Sequence, residues 1–305
     1  MDKFPYKISG RALWSWRQRV MQQAAVVDVD IAEVDWLLQG LCQVDGLSLR
    51  LGVVATQVEV LSRVCLTDLE QLWDTRVRDR VPIQHLVGET PWRRFMLHVS
   101  PAVLIPRPET ELIIDHVVAA VEQSPEPDHL RRGAWVDLGT GSGAIALGLA
   151  DALPEATILA VDISSEALAI AKANALGNGL GDRIQFLQGS WLEPLEPWRG
   201  QLVGVVSNPP YIPSAIVPTL QPEVANHEPH LALDGGQDGL TCIRHLIQTA
   251  PEFLKPYGFW LVELMAGQAP TVAKLLAENE YYADIQAVSD LAGIERFVIA
   301  RRHRK

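Results

Sequence analysis

Apolar residues recur at intervals of three and four over the first 80 positions, a spacing that predicts amphipathic helices rather than strands. After a first helix, a second is predicted to begin with Asp30 as its N-cap and to end at Gly46. A third is predicted to span the apolar positions from Val58 to Leu72. Residues 1–81 are therefore predicted to form a small all-α helical bundle.

The pattern changes twice after this bundle. Prolines interrupt short apolar stretches in residues 82–107, which predicts a short β-rich connector. Residues 108–305 then alternate between strand-like and helix-like stretches. Strands are predicted at 134–138, 157–162, 183–187, 202–207, 258–264 and 295–300, and helices at 109–123, 143–152, 164–176, 237–255 and 268–279. This alternation predicts an α/β, Rossmann-like domain in which helices cover both faces of a mostly parallel sheet.

A glycine-rich turn follows the first of these strands. Residues 137–143 have the sequence Asp-Leu-Gly-Thr-Gly-Ser-Gly and open the next predicted helix, where backbone N–H groups can meet a ligand. Asp162 ends the following strand, and a carboxylate there is placed to accept hydrogen bonds from ribose hydroxyls. The Gly-x-Gly-x-Gly spacing lacks the sixth-position glycine that supports a pyrophosphate. The turn therefore predicts a nucleoside-containing cofactor and favours S-adenosylmethionine over a nicotinamide dinucleotide.

A second motif, Asn208-Pro209-Pro210-Tyr211, follows the predicted strand 202–207. Because proline fixes φ, lacks an N–H group and keeps the preceding residue extended, this turn is stiff and its carbonyl oxygens can face a ligand. The Asn208 side chain adds an acceptor, and Tyr211 adds an aromatic face. Two acceptors and a ring suit a planar NH2 group, since they hold it still and favour the positive charge that grows on its nitrogen during methyl transfer. No general base is required before the transfer.

Charge and composition narrow the partners. The 305 residues include 26 Lys and Arg against 37 Asp and Glu, a formal net charge of −11, which disfavours a nucleic-acid substrate. The three cysteines and eight histidines have no metal-ligand spacing, so no metal site is predicted. The sequence has neither the pattern of a secretory signal nor a membrane-spanning apolar run, so we expect a cytoplasmic protein without a membrane partner.

The two motifs and their surroundings resemble those of the protein-(glutamine-N5) methyltransferases that act on peptide chain release factors. The matching stretches are 104–111, 137–143, 206–212, 228–229, 235–236 and 238–240. Asn-Pro-Pro-Tyr alone is shared with adenine-N6 methyltransferases, so adenine methylation of DNA or RNA is the alternative. The stretch Pro-Arg-Pro-Glu-Thr-Glu at 106–111 makes the match specific. The resemblance covers residues 80–305 well and the helical part in layout only.

The resemblance implies a class I S-adenosylmethionine-dependent methyltransferase whose substrate is the glutamine of a Gly-Gly-Gln loop in release factors. Residues 1–81 are implied to contact this partner protein. The implied cofactor-binding residues are Gly139, Thr140, Gly141, Ser142, Gly143, Asp162, Trp191 and Asn208, with Trp191 beside the adenine. The implied substrate-binding residues are Asn208, Pro209, Pro210 and Tyr211, and the first, second and fourth of these are implied to be catalytic.

The sequence departs from the family pattern at three positions. Ser190 and Val203 stand where the family often has an acidic residue, and Met265 stands where it often has glycine. These departures bear on details of the cofactor contacts and of a late loop, not on the type of reaction. For Arg107, which lies between two prolines, two roles stay open: fixing the cofactor or substrate loop, or forming a structural ion pair.

Overall fold

The computed structural model of the protein describes residues 3–27, 29–124 and 126–304. By its internal contacts the chain divides into two units, Met1–Glu89 with Pro222–His227, and Thr90–Gln221 with Glu228–Lys305. The expectation that the N-terminus carries no secretory signal concerns, in part, Met1 and Asp2, which lie outside the described residues. The predicted domain limits after residues 81 and 107 stay predictions.

Helices and strands alternate along most of the chain. The helices are α1 (Gly10–Ala24), α2 (Ala32–Leu41), α3 (Gly46–Leu51), α4 (Leu66–Asp79), α5 (Ile83–Val87), α6 (Leu112–Glu122), α7 (Pro127–Arg132), α8 (Ala144–Ala152), α9 (Ser165–Gly177), α10 (Pro222–Ala225), α11 (Thr241–Phe253) and α12 (Ala269–Ala277). The strands are β1 (Tyr6–Ile8), β2 (Val60–Ser62), β3 (Glu89–Trp92), β4 (Phe95–His98), β5 (Ala134–Leu138), β6 (Thr157–Asp162), β7 (Ile184–Gln188), β8 (Leu202–Ser207), β9 (Leu254–Glu263), β10 (Tyr282–Ser289) and β11 (Glu295–Arg302).

The first unit is a helical bundle with its own apolar core, to which α1, α2 and α4 contribute. The prediction that the second helix runs to Gly46 is wrong: α2 ends at Leu41 because Cys42 takes an extended backbone and pairs with Ser62. Gly46 instead begins α3, where the Asp45 side chain accepts a hydrogen bond from the Ser48 N–H at 2.8 Å.

The apolar positions from Val58 to Leu72 do not form one helix. Residues Val60–Ser62 form β2, which pairs antiparallel with β1, and α4 begins only after Cys65. The prediction is wrong there because three residues of a short strand satisfy the same apolar spacing as a helical turn, and periodicity alone does not separate the two. A two-stranded sheet therefore accompanies the bundle.

A group of charged side chains ties residues 222–227 into the first unit. Arg76 is almost completely buried, and its Nη2 donates a hydrogen bond to Glu33 Oε1 at 2.9 Å. Its Nη1 lies 2.8 Å from Glu223 Oε1, and Arg80 Nη2 reaches the same oxygen at 2.8 Å. A buried guanidinium needs such partners because an unpaired charge away from water is costly. The acidic residue that follows the Asn-Pro-Pro-Tyr motif in the chain thus completes an ion-pair cluster of the helical unit.

The second unit contains a seven-stranded sheet of order β10-β11-β9-β8-β5-β6-β7. Strands β9, β8, β5, β6 and β7 run parallel to one another, and β11 is antiparallel to both β9 and β10. Apolar side chains of alternating strand positions enter two cores, one on each face of the sheet. The predicted α/β fold with a mostly parallel sheet is confirmed.

The strands at one edge differ from the sequence prediction. β10 was not predicted, because its burial alternates irregularly along an edge strand whose apolar pattern is weak. β9 begins at Leu254, four residues before the predicted start. Among the described helices, none combines the length and the apolar character needed to cross a membrane.

We predict that G204A destabilises the second unit. Gly204 lies in β8, and a Cβ at this position would come within 2.1 Å of the fully buried Trp135 side chain. Overpacking of this kind costs about 1–3 kcal/mol, which urea unfolding would measure. G177A is the matched control, because a Cβ at the end of α9 meets no atom within 4 Å. Equal stability of the two variants would contradict the prediction.

Candidate active site

The register of the parallel strands brings the two predicted motifs to one edge of the sheet. Leu138 at the end of β5 pairs with both Val161 and Ser207. Ser207 at the end of β8 pairs with Val262, the penultimate residue of β9. Ligands of open parallel sheets bind beyond the carboxyl ends of the strands. The loops that follow these four residues are therefore expected to form the ligand-binding site.

The glycine-rich turn has the geometry of a backbone cradle. Gly139 and Gly141 have φ angles of 72° and 55°, a conformation in which L side chains are strained. The N–H groups of Gly139 and Thr140 both donate to the carbonyl oxygen of Val161 at 2.9 Å. Asp162 Oδ2 accepts a hydrogen bond from the Gly141 N–H at 2.8 Å. The predicted ribose-binding carboxylate thus also holds the shape of the turn.

Asp137 is a buried carboxyl group at the base of this turn. Its Oδ2 accepts hydrogen bonds from Thr140 Oγ1 at 2.5 Å and from the Ala146 N–H at 3.1 Å. Its Oδ1 is buried, and no hydrogen bond from the described residues reaches it. Burial raises the pKa of Asp137 to about 7, although the two hydrogen bonds oppose the rise. Asp137 therefore ties the turn to the start of α8 from beneath.

A cavity of about 400 Å³ lies over the turn, within the size range of small-molecule sites. Of the predicted site residues, it is lined by Gly139, Thr140, Gly141, Ser142, Asp162, Trp191, Asn208 and Pro210. Gly143, Pro209 and Tyr211 are not among the lining residues. Gly143 instead caps the start of α8 with a φ of 83°. The structure thus brings both motifs to one cavity, although three of the predicted residues do not belong to its lining.

Trp191 has a φ of 49°, and its ring atom Cζ3 lies 3.8 Å from the place where a Cβ on Gly139 would sit. The indole therefore lies close to the glycine-rich turn. Of the three departures from the family pattern, only Ser190 lines the cavity. Val203 is fully buried in the core, and the Met265 N–H donates to Gln268 Oε1 at 3.0 Å.

The Asn-Pro-Pro-Tyr corner is held by a chain of hydrogen bonds. Asn208 Nδ2 donates to Thr110 Oγ1 at 3.1 Å, and Thr110 Oγ1 donates to Glu263 Oε2 at 2.7 Å. The Tyr211 hydroxyl donates to Glu263 Oε1 at 3.3 Å. No described residue donates to Oδ1 of Asn208 or to the carbonyl oxygen of Pro209. Two acceptors of the corner are left for a ligand.

Thr110 and Glu263 were not among the predicted site residues. Both positions carried a signal, since Thr110 belongs to the Pro-Arg-Pro-Glu-Thr-Glu stretch and Glu263 is an acidic residue near the end of the predicted strand 258–264. Burial raises the pKa of Glu263 to about 7, while the bonds from Thr110 and Tyr211 and the charge of Arg296 oppose the rise and Glu109 adds to it. A carboxyl group kept in such a place is a functional candidate.

A second glycine-rich segment packs against the back of the corner. A Cβ on Gly235 would lie 2.8 Å from the carbonyl oxygen of Pro210, and one on Gly239 would lie 2.2 Å from that of Tyr211. Gln268 Nε2 donates to the same Tyr211 oxygen at 2.9 Å. Close approach of backbone atoms, which only glycine permits, therefore explains Gly235 and Gly239 in the stretch Gly-Gly-Gln-Asp-Gly at 235–239.

Arg107 forms an ion pair, one of the two roles left open for it. Its Nη2 lies 2.6 Å from Glu228 Oε2, and the Glu228 side chain is almost completely buried. Glu228 Oε1 also accepts a hydrogen bond from the Ile105 N–H at 3.4 Å. Burial raises the pKa of Glu228, which the positive charge of Arg107 opposes. Because Arg107 also lines the cavity, the ion pair joins two of its loops.

The fold and this site define a class I methyltransferase. The model of the methyltransferase small domain family matches residues 111–220. Among solved structures, the crystal structure of the hMettl16 catalytic domain in complex with MAT2A 3′UTR hairpin 6 has a TM-score of 0.53 and 14% identity, covering 78% of this chain and 80% of that one. At that identity the likeness shows the fold alone.

Similarity to proteins of known name extends over nearly the whole chain. The chain is 52% identical to the release factor glutamine methyltransferase of Synechocystis sp., over 96% of this chain and 97% of the relative. The protein of the same name from Thermosynechococcus vestitus is 44% identical, over 96% of this chain and 99% of the relative. The chain belongs to the release factor glutamine methyltransferase family.

We predict that G239A disrupts the corner more than its backbone conformation alone explains. Gly239 and Gly267 both have positive φ, 76° and 89°, so alanine is strained at either position. A Cβ added at Gly239 would collide with the Tyr211 carbonyl oxygen, whereas a Cβ added at Gly267 would meet no atom within 4 Å. Unfolding of G239A should therefore show an extra loss of about 1–3 kcal/mol relative to G267A. Similar losses in both variants would mean that the close approach does not matter.

Proposed function

We propose that this protein methylates the side-chain amide nitrogen, N5, of the glutamine in the Gly-Gly-Gln motif of peptide chain release factors, with S-adenosyl-L-methionine as methyl donor. Family membership and the corner at Asn208 support this together. The observation that carries the proposal is the pair of acceptors at the corner, Asn208 Oδ1 and the Pro209 carbonyl oxygen, to which no described residue donates. A primary carboxamide offers the two N–H donors that such a pair needs.

The residues around the cavity suit the proposed cofactor. The glycine turn leaves space where a side chain would stand, since a Cβ on Gly141 meets nothing within 4 Å. Asp162 lines the cavity, and each of its carboxylate oxygens accepts one hydrogen bond from the described residues, which leaves further acceptor capacity for a ligand. We propose that the turn, Asp162 and Trp191 hold the nucleoside. When bound, S-adenosylmethionine supplies a methyl group on a positively charged sulfur.

The protein's part in the reaction is to position the amide. Asn208 Oδ1 and the Pro209 carbonyl oxygen accept the two N–H groups of the glutamine, which fixes the plane of the amide and the direction of its nitrogen. Both acceptors also favour the positive charge that grows on that nitrogen as the N–CH3 bond forms. One N–H proton is then lost, and no side chain has to remove it beforehand. Tyr211 is proposed as a further substrate contact.

The finer features of the sequence prediction remain proposals. We propose that residues 1–81 contact the release factor and that the protein acts in the cytoplasm. Adenine-N6 methylation of DNA or RNA, the alternative, would use the same NH2 geometry. It is not favoured, because the net charge of −11 opposes binding to phosphates and the relatives are named release factor glutamine methyltransferases.

The central test is methylation of a purified release factor by the full-length protein. Labelled S-adenosylmethionine should label one glutamine, located by mass spectrometry. N208A should lower kcat by about 100- to 1,000-fold, the range seen when one group that stabilises developing charge is removed. A release factor with alanine in place of the Gly-Gly-Gln glutamine is the matched control and should remain unlabelled. Labelling of an adenine-containing duplex instead of the release factor would refute the proposal.

Cofactor binding offers an independent prediction. D162A should weaken the binding of S-adenosylmethionine at least tenfold by calorimetry, because it removes an acceptor from the cavity and the bond to the Gly141 N–H. A tenfold change corresponds to about 1.4 kcal/mol, ordinary for one lost polar contact. D182A is the control, since it removes the same charge from an exposed position. Tighter binding of NADH than of S-adenosylmethionine would contradict the cofactor assignment.

A further inference from the structure

The orientation of the Asn208 side chain decides what the corner can bind. An asparagine amide has an acceptor at one end and a donor at the other, and a half-turn about its last bond exchanges them. If Nδ2 faced a glutamine NH2 group, donors would face donors. A structure that methylates carboxamides therefore needs a device that keeps Oδ1 toward the substrate.

Thr110 and Glu263 supply such a device. A carboxylate can only accept hydrogen bonds, so the proton of the Thr110 hydroxyl is committed to Glu263 Oε2, 2.7 Å away. The Thr110 oxygen can then only accept from Asn208, and the atom that faces it at 3.1 Å must be the NH2 group. The polarity of Asn208 follows from this chain of donors and acceptors.

The same carboxylate reaches the other end of the motif. Glu263 Oε1 accepts the Tyr211 hydroxyl proton at 3.3 Å, so one side chain orders both Asn208 and Tyr211. The parallel register of β8 and β9 places Glu263 there, because Ser207 and Val262 are paired and the residues that follow them, Asn208 and Glu263, lie at the same edge of the sheet. Thr110 arrives from the turn just before α6.

We propose that Glu263, acting through Thr110, is a positioning residue that fixes the amide orientation of Asn208 and so makes the corner selective for a carboxamide over a carboxylate. This inference rests on the proposed function. A carboxylate in the substrate position would bring a third acceptor toward Asn208 Oδ1 and the Pro209 carbonyl oxygen, and no described side chain of the corner is placed to donate to it.

The hydrogen-bond chain from Glu263 through Thr110 to Asn208 should depend on pH. Around Glu263 lie Thr110, Tyr211, Glu109 and Arg296, and Arg296 is itself paired with Asp290 at 2.7 Å. Burial raises the pKa of Glu263 to about 7. Below that pH the protonated group can donate to Thr110, whose own proton is then free to point at Asn208. Thr110 then no longer fixes the orientation of the Asn208 amide, so methyltransferase activity should fall as the pH falls through about 7.

The experiment compares T110V with T110S in the full-length protein. Valine keeps the shape of threonine and removes the relay, whereas serine keeps the hydroxyl. At saturating S-adenosylmethionine, kcat for the release factor should fall at least tenfold in T110V and stay within threefold in T110S, with cofactor affinity unchanged within twofold in both. Normal kcat in folded T110V, or an equal loss in T110S, would overturn the inference.

The pH profile separates positioning from a merely structural role. In the unaltered protein, kcat should rise with pH through about 7, and this rise should disappear in T110V and in E263Q, which keeps the shape but cannot ionise. Asp137 has a similar pKa and is present in both variants, so a rise that persists in both would come from Asp137 and would overturn the inference. E263Q also provides the test if T110V does not fold.

A readout independent of activity distinguishes failure of this inference from failure of the proposed function. The side-chain NH2 resonances of Asn208, assigned by their loss in N208S, should shift in T110V and stay near their original positions in T110S. Unshifted resonances in T110V would overturn the inference even if the release factor is methylated. A shift, together with an unlabelled release factor, would support the orientation device and refute the proposed function.

Discussion

The pairing of β8 with β5 on one side and with β9 on the other is the constraint on which the site depends. All six residues of β8 are buried, so a shift of its register by one position would move apolar side chains from one core to the other. With the register fixed, the ends of three strands deliver the glycine turn, Asn208 and Glu263 to one edge. The hydrophobic packing of the strands therefore positions these functional groups, although the groups themselves do not take part in that packing.

Two buried carboxyl groups each hold one of the two loops at this edge of the sheet. Asp137 holds the glycine turn through Thr140, and Glu263 holds the Asn-Pro-Pro-Tyr corner through Thr110. Burial raises the pKa of each to about 7, and each accepts a short hydrogen bond from a threonine hydroxyl. Backbone loops on their own would sample many conformations. Hydrogen bonding to a buried charged group restricts them, because leaving such a group without its partners is costly.

The sequence predicted most of the sheet and both loops of the site, because those features depend on local patterns. The strand 202–207 and the turn at 137–143 combine strong apolar runs with glycine or proline. β10 was missed because edge strands carry little periodic signal. Thr110 and Glu263 were missed because their roles arise only when two segments 153 residues apart in the sequence meet in the fold. Periodicity reports what a segment buries, not which polar group it will meet.

The assignment of residues 222–227 to the helical unit bears on how the chain is made. During synthesis from the N-terminus, helices α1 to α5 leave the ribosome long before Glu223, the carboxylate that completes the cluster around the buried Arg76. Until more than 200 residues have been translated, Arg76 has Glu33 as its acidic partner but lacks the second one. The helical bundle therefore reaches its final state late, after most of the catalytic sheet has emerged, and cutting the gene once between the units would leave neither piece complete.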